Sequence, residues 1–140
     1  MRSYHETEHL DPVAVAAFRK AQRIVEAIPD PAHGEEPYRC HEVVRVVGEI
    51  LGLPVVDGMC GTVDHSWLVV PSTSRHSRGA ILDPYVPGGL PQVAIFDCYE
   101  FLPWKDAYRP REPRDDIDHE LVMSLKAAVL SRIGEAVAVS

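Results

Sequence analysis

Three residues with complementary chemistry follow one another through the middle of this 140-residue chain: Cys40, His65 and Asp83. A thiol becomes an effective nucleophile when a neighbouring base takes its proton, and the base works best when a third polar group orients it. Cysteine, histidine and aspartate supply these three functions. The sequence therefore predicts a triad with Cys40 as nucleophile, His65 as general base and then acid, and Asp83 as the orienting group.

The cysteine is expected at the head of a helix. Apolar residues recur at helical spacing after it, which predicts a helix that begins around residues 36 to 38 and ends near Gly52. Its apolar stripe contains Cys40, Val43, Val44, Val47, Ile50 and Leu51. Cys40 is then expected to point inward from the first turn, where unpaired backbone amides and the helix dipole favour a thiolate and supply donors to an oxyanion.

The histidine and the aspartate lie in segments with strand character. Residues 53–59 are rich in β-branched side chains, and residues 64–71 and 79–85 are predicted as the next two strands. Their connections are too short for a parallel crossover, so antiparallel pairing is expected. Alternation places Trp67 on the same face as His65, which makes Trp67 a candidate wall of the active site or, as the simpler alternative, a core residue.

The flanking segments predict further helices and one more strand. Asp11 and Pro12 form the expected start of a helix that runs to about Ile28, and residues 115–134 are expected to form a last helix. Residues 93–99 are predicted as a fourth strand. The proline-rich and charged residues 103–113 suggest an irregular surface excursion. The predicted fold class is therefore α+β.

Length and composition restrict the class of protein. A chain of this length without a linker predicts one domain, residues 1–140, with a polar tail at residues 1–10. Apolar runs are too short for a membrane span and the start lacks a secretory signal, so neither is expected. The net charge of −7 argues against nucleic-acid binding. The scattered Cys40, Cys60 and Cys98 do not form a disulfide framework, which favours the cytoplasm.

The order of these motifs resembles the transglutaminase-like branch of the papain-like cysteine enzymes. The resemblance covers residues 40–85 and is carried by Arg39-Cys40-His41-Glu42, His65-Ser66-Trp67-Leu68 and Ile81-Leu82-Asp83-Pro84-Tyr85. Gly52-Leu53-Pro54-Val55 also looks like the turn that often follows the cysteine helix in that group. In two respects the chain departs from the pattern: His41 stands where a small residue usually follows the cysteine, and the spacing from Cys40 to His65 is short.

The resemblance implies a cysteine-bearing helix packed on a small antiparallel sheet, with further helices on either side. It implies acyl transfer through the Cys-His-Asp triad, with hydrolysis of a peptide or amide as the most economical reaction and transglutaminase-type or deamidase-type transfer as variants. Its substrate is expected to be a peptide, a protein or a small amide or ester, without a cofactor. Tyr38 and His33 lie upstream of the cysteine, where related enzymes often place an oxyanion donor.

Other interpretations of the same residues remain open. Each triad residue has a structural explanation by itself: a buried apolar thiol, a strand-end histidine and an Asp-Pro turn. A catalytically inactive module of this fold that binds a peptide or partner protein is the alternative from another class. Zinc is a further possibility, with Cys40, His41, Cys60, His65 and His76 as potential ligands, but their spacing lacks the close pairs usual for zinc. The oligomeric state is not indicated by the sequence.

Overall fold

A computed structural model of the protein describes residues 11–71, 79–85, 93–97 and 108–139. The predicted polar tail at residues 1–10, and the residues His76, Cys98 and Tyr99, lie outside these ranges. The described part of the chain has an α+β fold with three helices and one antiparallel sheet of five strands. The elements in chain order are α1 (Pro12–Ala27), α2 (Cys40–Leu51), β1 (Val55–Cys60), β2 (Val63–Val70), β3 (Ala80–Asp83), β4 (Ala94–Asp97), β5 (Tyr108–Pro110) and α3 (His119–Val139).

The sheet has the strand order β4-β3-β2-β1-β5, and all its neighbouring strands are antiparallel. Strands β1 to β4 therefore pair in chain order, whereas β5 joins the opposite edge beside β1. The short connection from β1 to β2 makes this pairing local, as expected from the sequence. β2 lies at the centre, between the strands that hold its polar partners.

Side chains on the two faces of the sheet form two separate apolar clusters. The helices pack on the face that carries Leu68, Val70 and Leu82, and together these elements form the larger core. The other face carries a smaller cluster that includes Trp67, Ile81 and Tyr108. Because side chains alternate along a strand, consecutive residues of β2 belong to different clusters. Each residue at the start of β2 therefore meets a different set of neighbours.

The helix boundaries confirm part of the sequence prediction and correct the rest. α1 begins after Asp11, whose side chain accepts a hydrogen bond of 3.0 Å from the amide of Val13. α2 ends at Gly52 in the left-handed conformation with φ of 70°, as expected. The predicted start of α2 at residues 36 to 38 is wrong, because the backbone is still extended at Arg39, with φ of −73° and ψ of 152°. Cys40 is therefore its first residue.

The other corrections concern the last third of the chain. α3 begins at His119 rather than at residue 115, because the side chain of Asp118 caps it by accepting a 3.0 Å hydrogen bond from the amide of Leu121. The predicted surface excursion at residues 103–113 is wrong for residues 108–110, which form an edge strand. Gly58 permits this approach, since a Cβ there would collide with the backbone oxygen of Arg109 in β5.

No helix in the described ranges has both the length and the apolar character that a membrane crossing needs.

Candidate active site

Cys40 lies at the point where α2 meets the sheet. It is partly buried and packs against the larger core, while α2 runs away from it. Arg39, the N-cap residue of α2, makes no side-chain capping hydrogen bond. The backbone amides of the first turn and the positive end of the helix dipole lie at the end of α2 that carries the Cys40 thiol. This is the environment that favours a thiolate and a nearby oxyanion.

His65 and Asp83 form a buried pair in the neighbouring strands. Nε2 of His65 lies 2.7 Å from Oδ2 of Asp83, and both side chains are almost fully buried. A carboxylate accepts hydrogen bonds only, so Nε2 carries the proton of this bond. His65 Nδ1 is thereby left as the ring nitrogen that can exchange a proton with Cys40. Cys40 and His65 are near enough for each to shift the pKa of the other, so all three predicted triad residues lie at one site.

Asp83 has two further hydrogen-bond donors. The hydroxyl of Tyr108 donates to Oδ2 at 2.6 Å, and the backbone amide of Tyr85 donates to Oδ1 at 3.0 Å. Tyr108 is buried, and its own pKa is raised by burial and by the adjacent negative charge of Asp83. These contacts hold the carboxylate in one orientation toward His65. Sequence reasoning missed Tyr108, because it lies 25 residues beyond Asp83 in the segment interpreted as a surface excursion.

The electrostatics of the site favour a thiolate and an imidazolium. Burial of Cys40 opposes ionisation, but hydrogen bonding to His41 and then to His65, with the positive charge of the rings, lowers the pKa of the thiol to about 6. Burial of His65 opposes protonation, but hydrogen bonding to Asp83 and Cys40, with their negative charges, raises the pKa of the imidazole to about 9. Between these two pH values Cys40 is ionised and His65 is protonated.

A second polar chain reaches the thiol from the other side of β2. Nδ1 of His41 lies 3.7 Å from Sγ of Cys40 and 2.7 Å from Oγ of Ser66. The hydroxyl of Ser66 donates to Oδ1 of Asp57 at 2.5 Å. Arg45 pairs with both oxygens of Asp57, at 3.1 and 2.6 Å, and also donates to the carbonyl oxygen of His41 at 3.1 Å. The chain is buried apart from part of Arg45.

The sequence carries a signal for this second chain in the pattern of β1 and β2. Ser66 lies on the face of β2 that otherwise carries Leu68 and Val70, and its cross-strand partner Asp57 shares that face with Val55. Two polar residues facing each other on an otherwise apolar face need partners when they are buried. They predict a polar group on the opposing helix, where His41 is found.

An ion-pair cluster holds the start of α2 against the segment before α3. The guanidinium of Arg39 binds both oxygens of Glu42, at 2.7 and 2.6 Å, and reaches Asp116 at 3.1 Å. The amide of Asp118 donates to the buried Glu42 carboxylate at 3.3 Å. Residues 76 positions apart in sequence thereby position the helix end that carries the thiol.

A groove of about 720 Å³ is lined in part by residues that neighbour Cys40 and Asp83 in sequence. Its lining includes Tyr38, two residues before Cys40, and Tyr85, two residues after Asp83. The pKa of Tyr85 is raised by burial and by the charge of Cys40, so this side of the groove lies near the thiol. His33 also lines it. Both candidate oxyanion donors, Tyr38 and His33, therefore lie along the groove.

Trp67 packs against the imidazole of His65. Its ring centroid lies 6.3 Å from that of His65 with an interplanar angle of 25°, and 5.1 Å from that of Tyr108 in an edge-on arrangement. The indole is buried within the smaller cluster. The structure thus confirms the core role for Trp67 and places its ring next to that of His65, while its role as a wall of an active site stays a prediction.

The described residues also include Cys60 and four of the five suggested zinc ligands. Cys60 ends β1 as a partly buried free thiol, and its pKa is raised by burial and by the charge of Asp83. Among the described residues no group of three or more histidine, cysteine, aspartate or glutamate side chains is arranged to hold a metal ion. Of the suggested ligands, His76 lies outside the described ranges.

We compared the chain with models of protein families, with curated proteins and with solved structures, and none of them matches it.

Proposed function

We propose that this protein is a cysteine-dependent acyl-transfer enzyme with a papain-like, transglutaminase-like core. Cys40 is the nucleophile, His65 exchanges its proton, and Asp83 orients the imidazole. One observation carries the proposal: a thiol at a helix N-terminus shares a site with an imidazole that is bound at 2.7 Å by a buried carboxylate. The fold supports it further, since the cysteine helix packs on an antiparallel sheet that carries the histidine and the aspartate on adjacent strands.

The reaction we propose begins with the thiolate of Cys40 attacking the carbonyl carbon of an amide or ester. The electron pair of the carbonyl moves to oxygen, and we propose that backbone amides at the start of α2 bind this oxyanion. The imidazolium of His65 then protonates the leaving amine or alcohol as its bond to carbon breaks. An acyl-enzyme with a thioester at Cys40 remains.

The acyl-enzyme is resolved by the reverse arrangement of protons. The now neutral His65 takes a proton from water while the water oxygen attacks the thioester carbon, and collapse of the second oxyanion returns the sulphur as a thiolate. An amine can take the place of water, which gives transfer rather than hydrolysis. Hydrolysis of a peptide or amide is the reaction we propose, because water is always present and needs no acceptor site.

The groove supports binding of an extended or apolar acyl group. It carries Tyr38 and Tyr85 and the prolines Pro29, Pro31 and Pro37, and its charged residues are Glu26, Asp30 and Glu35. In this proposal a peptide segment places apolar side chains against the rings and extends from the groove toward Cys40. The acidic residues disfavour a strongly anionic substrate.

The experiment that tests the proposal is trapping of the acyl-enzyme. The purified protein is incubated with an activated ester such as p-nitrophenyl acetate, and intact-mass spectrometry follows the acyl adduct while nitrophenol absorbance follows turnover. We expect an adduct on the Cys40 peptide, lost in Cys40→Ala and kept in the matched control Cys60→Ala. Acylation that persists in Cys40→Ala, or an adduct that never turns over, would favour the inactive binding module instead.

A further inference from the structure

Cys40 has two imidazoles beside it, and the proton on the second, His41, can be assigned from its neighbours. Nδ1 of His41 lies 2.7 Å from Oγ of Ser66 and 3.7 Å from Sγ of Cys40. In a neutral imidazole either ring nitrogen can carry the proton, and hydrogen-bond partners decide which one does. His41 and Ser66 are both buried, so these partners are protein groups.

Ser66 has one proton to donate, and Asp57 receives it. The two oxygens are 2.5 Å apart, and a carboxylate has no proton to give back. Asp57 is ionised near neutral pH: burial opposes its charge, but hydrogen bonds from Arg45, Ser66 and the backbone amide of Arg114 lower its pKa to about 2. The single proton of the Ser66 hydroxyl is therefore used in the hydrogen bond to Asp57.

The hydrogen bond from Ser66 to Asp57 determines which ring nitrogen of His41 carries a proton. Since the Ser66 oxygen has no second proton, it can only accept from His41, and Nδ1 of His41 must carry a proton whether the ring is neutral or charged. The same N–H is the part of the ring near the Cys40 sulphur. We propose that the single Nδ1–H of His41 is shared between Oγ of Ser66, the nearer acceptor, and Sγ of Cys40, and that Ser66, held by Asp57, is the positioning residue that keeps this nitrogen protonated.

The two imidazoles at the thiol therefore have different functions. A protonated Nδ1 cannot take the thiol proton, so His65 is the base, whereas the His41 N–H binds the sulphur more strongly as a thiolate than as a thiol. This arrangement stabilises the charged nucleophile before substrate arrives. The inference deepens the proposed function and rests on it in one respect, the assignment of Cys40 as nucleophile. It also explains why a histidine can follow the cysteine directly.

The test measures the pKa of Cys40 in the protein of 140 residues. The rate of alkylation by iodoacetamide is followed from about pH 4 to pH 10, and mass spectrometry of the Cys40 peptide separates it from Cys60 and Cys98. In the wild type we expect a value well below that of a free thiol. In Ser66→Ala we expect an upward shift of about one pKa unit, because a charge-assisted hydrogen bond contributes about that much.

Two matched variants complete the series. His41→Phe removes the donor itself and is expected to raise the pKa of Cys40 by about one to two units. Ser66→Thr keeps the hydroxyl and is expected to titrate like the wild type. A low wild-type pKa that is unchanged in both Ser66→Ala and His41→Phe overturns the donor role and leaves the proposed function intact. A wild-type Cys40 that titrates like a free thiol removes the proposed function itself.

A second measurement needs no variant, so it remains decisive if the substitution at Ser66 prevents folding. In protein labelled with ¹⁵N-histidine, the NMR shift of His41 Nδ1 distinguishes a protonated from an unprotonated ring nitrogen. We expect the protonated value across the neutral range. An unprotonated Nδ1 contradicts the inference directly.

Discussion

Two histidine-aspartate arrangements meet at the Cys40 thiol, one on each face of β2. On the face with Trp67, His65 binds the carboxylate of Asp83 directly. On the helix-packed face, the hydroxyl of Ser66 lies between His41 and Asp57. His65 and Ser66 are consecutive residues of β2, and each belongs to one of two polar chains that run from the Cys40 thiol to an aspartate.

The two chains differ in whether the histidine binds the carboxylate directly or through a hydroxyl, and in whether a cation pairs with the carboxylate. A direct bond holds the His65 proton at Nε2 and leaves Nδ1 to exchange a proton, whereas an inserted hydroxyl holds a proton at Nδ1 of His41. Asp57 is neutralised by Arg45, but in the described part of the chain no lysine or arginine pairs with Asp83. The negative charge of Asp83 is therefore available to stabilise an imidazolium. One chain suits proton transfer and the other suits a fixed structure.

The largest contrast is expected from removing each imidazole by the same substitution. His65→Phe eliminates the base and acid, which typically contributes 10²- to 10⁴-fold, so we expect kcat/KM for an activated ester to fall by about 10³-fold. His41→Phe removes a donor and should cost about tenfold. Steady-state kinetics measures both. Equal losses in the two variants would contradict the division of roles.

The two carboxylates should respond differently to the same change. Asp83→Asn keeps the shape but removes the charge that orients His65, and we expect kcat to fall by about 10²-fold with little loss of stability. Asp57→Asn breaks the pair with Arg45 and should lower the free energy of unfolding by about 2 kcal/mol. Urea denaturation and kinetics on both variants separate these effects. A large stability loss in Asp83→Asn with unchanged kcat would reverse the comparison.

The pH dependence tests the proton-transfer side of the comparison. Below a pH of about 6 the thiol of Cys40 gains a proton and the nucleophile is lost, and above about 9 His65 loses the proton that the leaving group needs. We expect kcat/KM to rise and then fall through these limits, with about a tenfold change per pH unit beyond each. A profile that rises only near the pKa of a free thiol would show that the ion pair does not form.

A smaller effect is expected from substituting Tyr108, whose hydroxyl donates a hydrogen bond to Asp83. Tyr108→Phe removes the hydroxyl that donates to Oδ2 at 2.6 Å while keeping the ring against Trp67. We expect a loss of about threefold to tenfold in kcat, since the amide of Tyr85 and the imidazole of His65 still hold the carboxylate after this one hydrogen bond is lost. The Cys40 alkylation profile is the companion measurement. A Tyr108→Phe variant as impaired as Asp83→Asn would mean that the hydroxyl does more than position the carboxylate.

Much of the fold followed from local patterns in the sequence. The start of α1 at Asp11, the end of α2 at Gly52 and the strands around His65 and Asp83 depend on capping, helical spacing and β-branched residues close in sequence. The helix starts were harder. α2 begins later than its apolar stripe indicates, because the residues before Cys40 remain extended.

The residues of the candidate site were predictable only where the residue type itself indicates a reactive group. Cys40, His65 and Asp83 stood out by type and order, but His41 and Tyr108 did not, because their roles come from partners 25 residues away in each case. The position of β5 beside β1, which depends on Gly58, had no local signal. Without that edge strand, Tyr108 has no reason to lie near Asp83.

The sequence by itself determined the residue types, their order along the chain and the local elements that carry them. Caps, helical spacing and strand alternation act over a few residues, so they can be read without a fold. Only the tertiary structure decided that His65 hydrogen-bonds a carboxylate directly whereas His41 hydrogen-bonds a hydroxyl. That choice depends on strand register and on the two faces of β2, where a shift of one residue would exchange His65 and Ser66.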